Sequence, residues 1–282
     1  MQEPRPDSGP FTHNLPNGQQ VATGRPRASM LDDVRTQRFR LATFVDRGNL
    51  PSLQDRIEPP EGFTPGLWGN DRIGDCTVVG MANYSTVAAL RAQDVAVPTF
   101  TYHNVVSRYG VVGGYDPNAA PDANGQNPTD RGAIELDVLN GWRHMPFEGV
   151  ELIAFAVIDV HDVELLRYAI QIFGAAYVGV DLPTQAKWQL GRRWDVVAGM
   201  VPGSWSGHCT VLDGFDYRPR RRVSPELLHA TWGIHQPSTE AWWRACGDEA
   251  YAPVLSIHQQ DPTPAIRWDL LLAYLAQLGR PV

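Results

Sequence analysis

The chain has 282 residues, 43% of them hydrophobic and 20% charged, with a net charge of -7, the balance of a water-soluble globular protein of one large domain or two small ones closing on a cleft. The acidic surplus argues against a nucleic-acid partner, which calls for a basic face; Arg218, Arg220, Arg221 and Arg222 form the only dense basic run. No apolar run reaches membrane-spanning length, Met1 to Pro6 lacks an apolar signal core, and Cys76, Cys209 and Cys246 are too few and odd in number for a disulfide framework, so a cytoplasmic location is expected.

In chain order, residues 1 to about 35 are polar and rich in Pro and Gly. Such a segment is expected to be mobile unless something holds it, for example a protein assembly partner. Leu31 to Leu53 reads as a short helix and an extended piece. After the turn signals Pro59-Pro60-Glu61-Gly62 and Pro65-Gly66 comes Asn70-Asp71-Arg72-Ile73-Gly74-Asp75-Cys76. Beyond it Val78, Val79, Ala82, Val87, Ala88 and Leu90 recur at steps of three and four and predict a helix. Thr101 to Tyr109 reads as a short strand or helix, and Gly110 to Asp130 as a polar loop. Asp116, Asn118, Asp122, Asn124 and Gly125 in that loop do not fit EF-hand spacing, because Ala120 and Arg131 would fill ligand slots.

Asp130-Arg131-Gly132 is expected to open a helix running through Trp142. Val150 to Val160 then reads as a strand, His161 to Phe173 as a helix and Ala175 to Leu182 as a buried strand. Trp194 to Val197, Ser206 to Tyr217, Leu227 to Gly233 and Ala252 to Ile257 are further strands. A short helix carries Ala241, Trp242, Trp243 and Cys246, and Ala265 to Leu278 is an amphipathic closing helix. Helices first and antiparallel strands later imply an α+β fold.

The chemistry centres on Cys76. With Asp75 as N-cap, the thiol sits in a first helical turn, where unpaired N–H groups and the helix dipole favour an anion. That placement predicts a lowered thiol pKa and a nucleophilic thiolate. The base must come from elsewhere in the sequence. His208, in Gly207-His208-Cys209-Thr210-Val211, is delivered by a Gly-bearing turn to the mouth of an apolar strand. There is no His-Glu-x-x-His or Cys-x-x-Cys pair, and Gly113-Gly114 lacks the Lys and helix of a phosphate loop. No metal or cofactor is expected.

These stretches resemble the papain-like cysteine peptidases, and in particular divergent bacterial and phage-type members. Asn70 through Cys76 looks like the family's step from oxyanion glutamine to nucleophilic cysteine. Gly207 through Phe215 looks like its histidine strand, Ala230-Thr231-Trp232-Gly233 like its Asn-Ser-Trp-Gly, and Glu249-Ala250-Tyr251-Ala252 like its final strand. The resemblance spans about residues 50 to 257. It implies a helical left subdomain (about 51–145) and an antiparallel, β-barrel-like right subdomain (about 146–260) with a cleft between them. A propeptide-like arm (1–50) would precede these and a helix (261–282) follow. It implies Cys76, His208 and Asn70 as catalytic residues, with Gly74, Asp75, Asp130, Arg131, Gly132, Gly207 and Trp232 lining the substrate groove. Three departures stand out: Asn70 replaces the oxyanion glutamine, Thr77 follows the cysteine where the family has Trp, and Ala230 occupies the place of the orienting Asn. That loss implies a Cys–His dyad or an inactive site, with Asp213 or Asp216 as the candidates to orient the imidazole in its place.

The function expected is hydrolysis of peptide or amide bonds in a peptide or protein substrate by a Cys–His dyad. A catalytically degenerate scaffold with a structural or binding role, for example in a phage virion, is the alternative. A deamidase or transglutaminase using the same thiol is a third reading.

Overall fold

The computed structural model describes residues 12–23, 25–26, 40–92, 95–219, 224–260 and 262–277. The expectations for 31–39, for Arg220 to Arg222 and for Leu278 lie outside them.

The arm forms a hairpin of β1 (Thr12–Asn14) and β2 (Gln20–Ala22), turning at Gly18, whose φ of 82° suits a residue without a side chain. The short α1 (Leu41–Phe44) and β3 (Arg56–Ile57) follow. Three helices come next: α2 (Cys76–Arg91), α3 (Tyr102–Gly113) and α4 (Glu135–His144). The remainder is β4 (Leu152–Val157), α5 (Val163–Phe173), β5 (Ala176–Leu182), α6 (Ala186–Gln189), β6 (Ser206–Asp216), β7 (Glu226–Thr231), β8 (Ile234–Thr239), α7 (Glu240–Cys246), β9 (Gly247–Leu255), α8 (Ile257–Gln260) and α9 (Trp268–Gln277).

Seven strands form one sheet in the order β4-β9-β5-β6-β7-β8, with β3 beside β6, and every pairing is antiparallel. Among the described residues β4 and β8 are ends that do not pair with each other. The barrel-like half is therefore an open sheet rather than a closed barrel.

Side chains alternate across a strand, and the sheet uses that alternation to build two cores. Tyr177, Cys209, Val211, Ala230 and Tyr251 pack toward α2, α3 and α4, meeting Val78, Tyr84, Val105, Leu136 and Trp142. Val178, Val180, Leu212, Phe215 and Leu227 pack the opposite way against Leu166 and Ile170 of α5, Trp242 and Trp243 of α7, and Val21 of the arm. Helix α2 is buried on nearly every side, so its apolar set extends beyond the one stripe read from sequence. Gly80 lets β6 come close: a Cβ there would stand 2.9 Å from Cys209 Sγ.

Several boundaries differ from expectation for identifiable reasons. Thr101 to Tyr109 is helical, because Thr101 and Asn104 form a reciprocal capping box. That helix runs to Gly113 and ends on left-handed Gly114, so the polar loop starts there instead of at Gly110. Helix α4 begins at Glu135, which leaves Asp130, Arg131 and Gly132 in a loop. Trp194 makes a single bridge to Ser238 rather than opening a strand. Strand β8 went unread because it is polar and carries Pro237. Strand β9 starts at Gly247, its first turn-like residues being drawn into the sheet beside β5.

Candidate active site

The loop before α2 is closed by its own hydrogen bonds. Asn70 Nδ2 donates to Ile73 O at 3.2 Å, and Ile73 N donates to Gly69 O at 2.9 Å. Gly74 N donates to Asp130 Oδ1 at 3.0 Å. Asp130 also accepts the Tyr109 hydroxyl at 2.7 Å, and that hydroxyl accepts Gly132 N–H at 2.7 Å. Gly74, Asp130 and Gly132 are thus brought into one network, tied by a tyrosine of α3 that the sequence had not singled out. Arg131 turns outward and donates from Nε to Pro128 O.

Asp75 occupies the N-cap position of α2 but makes no capping bond with its side chain. Its carboxyl is fully buried, and burial, reinforced by the charge of Asp130, holds its pKa well above the usual carboxylate range. Cys76 is 1% exposed. Burial pushes its thiol up to about 12, with the Asp75 and Glu135 charges adding to the rise and the Cys209 backbone N–H and Arg25 opposing it. The thiolate expected at a helix N-terminus is therefore not the resting form: desolvation outweighs the helix dipole here. Nor is Asn70's amide waiting for an oxyanion, since it holds Ile73 O.

His208 stands at the mouth of β6, fully buried. Its Nε2 lies 2.7 Å from Thr231 Oγ1. Its ring is stacked on Trp232, with centroids 4.0 Å apart and planes 17° from parallel. Its Nδ1 has no hydrogen-bond partner among the described residues. Burial holds its pKa well below the ordinary imidazole value, and Arg25 and His229 push the same way, so the ring is neutral. No hydrogen bond or ion pair joins Cys76 and His208 among the described residues, so the charged pair expected between them is not formed.

The missing Asn has a local answer. Neighbouring residues of a strand face opposite ways, so Ala230 packs toward α2 while Thr231 reaches the imidazole. The two aspartates considered as substitutes are engaged elsewhere: Asp213 Oδ2 lies 3.2 Å from His235 Nδ1, and Asp216 pairs with Arg218 at 2.7 Å.

The arm lies across these same residues. Ala22 N donates to Asn70 O at 2.9 Å, and Trp232 Nε1 donates to Ala22 O at 3.1 Å. Gln19 Nε2 donates to Trp232 O at 3.1 Å, and Arg25 N donates to Gly207 O at 3.1 Å. The Arg25 side chain is fully buried, with NH1 2.5 Å from Glu249 and NH2 2.7 Å from Asp248. Thus Asn70, Gly207 and Trp232, three residues chosen from sequence, carry the arm. Arg25, Thr231, Glu135 and Glu249 were not chosen; a lone Arg in a polar segment and a Glu at a helix start carry no signal until the chain is folded.

No family model and no curated protein sequence matches this chain. Its structure is similar to that of xylellain, a cysteine protease from Xylella fastidiosa, with a TM-score of 0.59 at 11% identity over 83% of this chain and 96% of that one. It is also similar to digestive procathepsin L 3 of Tenebrio molitor, with a TM-score of 0.51 at 12% identity over 78% of this chain and 75% of the other. The fold is papain-like.

Cys76 packs with Cys209 on the α2 side of the sheet, whereas the His208 ring lies with Thr231 and Trp232 on the other face of β6, and the arm runs between the loop of Asn70 and the strand mouth at Gly207. Among the described residues no group of three or more His, Cys, Asp or Glu could hold a metal ion, and no helix is long and apolar enough to cross a membrane.

Proposed function

We propose that this chain is a cysteine hydrolase of peptide or amide bonds, with Cys76 as nucleophile and His208 as base, and that its cleft is occupied at rest by its own arm. The observation that supports it is the state of His208: tethered at Nε2 by Thr231, covered on one face by Trp232, and left with an unbonded Nδ1. An imidazole fixed in orientation with one nitrogen unbonded meets part of what a general base requires, the remainder being reach to the thiol.

With the arm displaced by a substrate, the Cys76 thiol gives its proton to His208 and the sulfur attacks the carbonyl carbon. The tetrahedral oxyanion is stabilised by the Cys76 backbone N–H at the start of α2, and by the Asn70 amide once it turns from Ile73 O. His208 returns the proton to the departing nitrogen as the C–N bond breaks, leaving a thioester. Water, deprotonated by His208, then releases the acid and restores the thiol. Gly74, Asp130 and Gly132 shape the rim through the Tyr109 network, Asp75 closes the pocket floor, and Arg131 and Gly207 lie on the groove. The test is mass spectrometry of a peptide library incubated with the chain: hydrolysis that disappears in Cys76→Ala supports the reading, and hydrolysis that persists removes it.

A second reading, a papain-like scaffold with a binding or structural role, draws on the buried, protonated Cys76 and the filled cleft. It predicts no hydrolysis of any library member and an unchanged assembly role for Cys76→Ala.

A further inference from the structure

The Arg25 guanidinium is surrounded by four carboxylates from three elements. NH1 lies 2.5 Å from Glu249 and NH2 2.7 Å from Asp248, both of β9. NH2 also lies 3.7 Å from Asp181 of β5, and Nε lies 3.6 Å from Glu135 Oε1 of α4. The side chains of Arg25, Glu135 and Glu249 are all fully buried. The pocket and its occupant have different origins: the body of the fold supplies every carboxylate, while the cation arrives on the arm.

Three features point to a recognition pocket rather than a fixed ion pair. The first is shape. Separate edges of the planar guanidinium meet separate carboxylates, a fit an ammonium cannot reproduce. The sheet is bare where the plane lies: a Cβ on Gly179 would stand 2.7 Å from Arg25 Cζ and 2.8 Å from Glu135 Oε1. The second is Glu135, fully buried 3.6 Å from Arg25 Nε, where burial and the Glu249 charge raise its pKa well above the usual carboxylate range and Arg25 opposes the rise. Such a group inside a fold is costly unless a cation of the right form comes to it. The third is position. Arg25 N donates to Gly207 O at the mouth of β6, and the Arg25 charge acts on the Cys76 thiol, so the pocket lies on the α2 side of the sheet with that thiol.

We infer that this is the specificity pocket of the cleft, and that a peptide displacing the arm is taken when it places an arginine side chain among Glu135, Asp181, Asp248 and Glu249. Arg25 is then the self-ligand that holds the pocket at rest. An incoming peptide without a guanidinium would leave Glu135 and Glu249 without that cation. The inference rests on the hydrolase reading only in calling that peptide a substrate.

The test is binding. The host is the full-length chain carrying Arg25→Gln, with Arg25→Lys as a second host that keeps a cation in the pocket and so protects folding. The probe is a fluorescent octapeptide copying residues 19–26, in its arginine form and in a form with neutral, nearly isosteric citrulline. Fluorescence polarisation is expected to show the arginine peptide binding about tenfold tighter or more, as the loss of charge-assisted hydrogen bonds implies. Equal affinity for the two peptides, or binding of neither to a host that unfolds cooperatively, overturns the inference. Hydrolysis does not enter this readout. A chain that cleaves nothing yet selects arginine would remove the hydrolase reading and leave the pocket; a chain that cleaves peptides without selecting arginine would do the reverse.

Discussion

The Nε2 atom of His208 and the Oγ1 atom of Thr231 stand 2.7 Å apart across adjoining strands, with the indole of Trp232 stacked on the imidazole. A hydroxyl can accept from Nε2–H or donate to a bare nitrogen, so the tether serves the ring in either tautomer. Thr231→Val keeps the side-chain shape and removes the tether. With a net hydrogen-bond contribution of about 1 kcal/mol, kcat is expected to fall roughly fivefold with little change in KM. Thr231→Ser should restore it. Nitrogen NMR of the His208 ring in both variants supplies a reading independent of turnover. An untouched kcat and ring signal in the valine variant would show that the tether does nothing.

The proposed reading makes the arm the gate to the Cys76 sulfur. Cys76 and Cys246 are each 1% exposed and Cys209 is 3% exposed, so iodoacetamide should label all three slowly in the intact chain. Gly207→Ala would set a Cβ 2.5 Å from Arg25 O and press the arm off its strand contact. Labelling of Cys76 is then expected to accelerate while Cys246, buried at the end of α7, stays slow. Peptide mapping by mass spectrometry reads both rates, and a parallel change in the two thiols would point to general loosening instead.

Arg25 is also a stability element. Removing one partner of a buried ionic cluster typically costs about 3 to 5 kcal/mol, because charge is left buried and unpaired. Arg25→Ala is expected to lose that much in urea unfolding at neutral pH. Combining Arg25→Met with Glu135→Gln and Glu249→Gln should regain most of it. A triple variant as unstable as the single one would place the loss in packing rather than in charge.

Acid sensitivity has an identifiable contributor in His229, whose ring lies between Thr210 Oγ1 and Ser238 Oγ, each 2.9 Å away. Burial brings its pKa from the ordinary 6.5 down to about 3. The folded chain therefore binds this proton more weakly than the unfolded chain. The contribution to stability is complete above the unfolded pKa and is lost as pH falls from there toward the folded one. His229→Gln should be less stable at neutral pH, and its deficit should shrink by about 1.4 kcal/mol per pH unit on acidification. Urea titrations of both chains between neutrality and about pH 5 check the slope; a constant gap would mean that His229 keeps its ordinary pKa.

The two elements that carry the proposed site were readable because their signals are local. A Gly-bearing polar loop feeding a helix at Cys76, and a turn delivering His208 to an apolar strand, depend on neighbours in sequence. The tether was not readable: Thr231 and Ala230 are adjacent, and only the register of β7 against β6 decides which of them faces the ring. The protonation states were misjudged for the same kind of reason. A helix N-terminus lowers a thiol pKa by a local field, but the burial that raises it comes from α2, the sheet and the arm together.

The amino-acid sequence by itself determined the α+β order of elements, the helix that begins at Cys76 and the strand that carries His208, since periodicity, turn residues and caps act over a few positions. Only the tertiary structure decided that Asn70, Gly207 and Trp232 hold Gln19, Ala22 and Arg25, and that Arg25 meets Glu135, Asp181, Asp248 and Glu249. Those partners lie more than a hundred residues from the arm in most cases, and an ion pair between such distant groups exists only after the sheet and helices have removed the water between them.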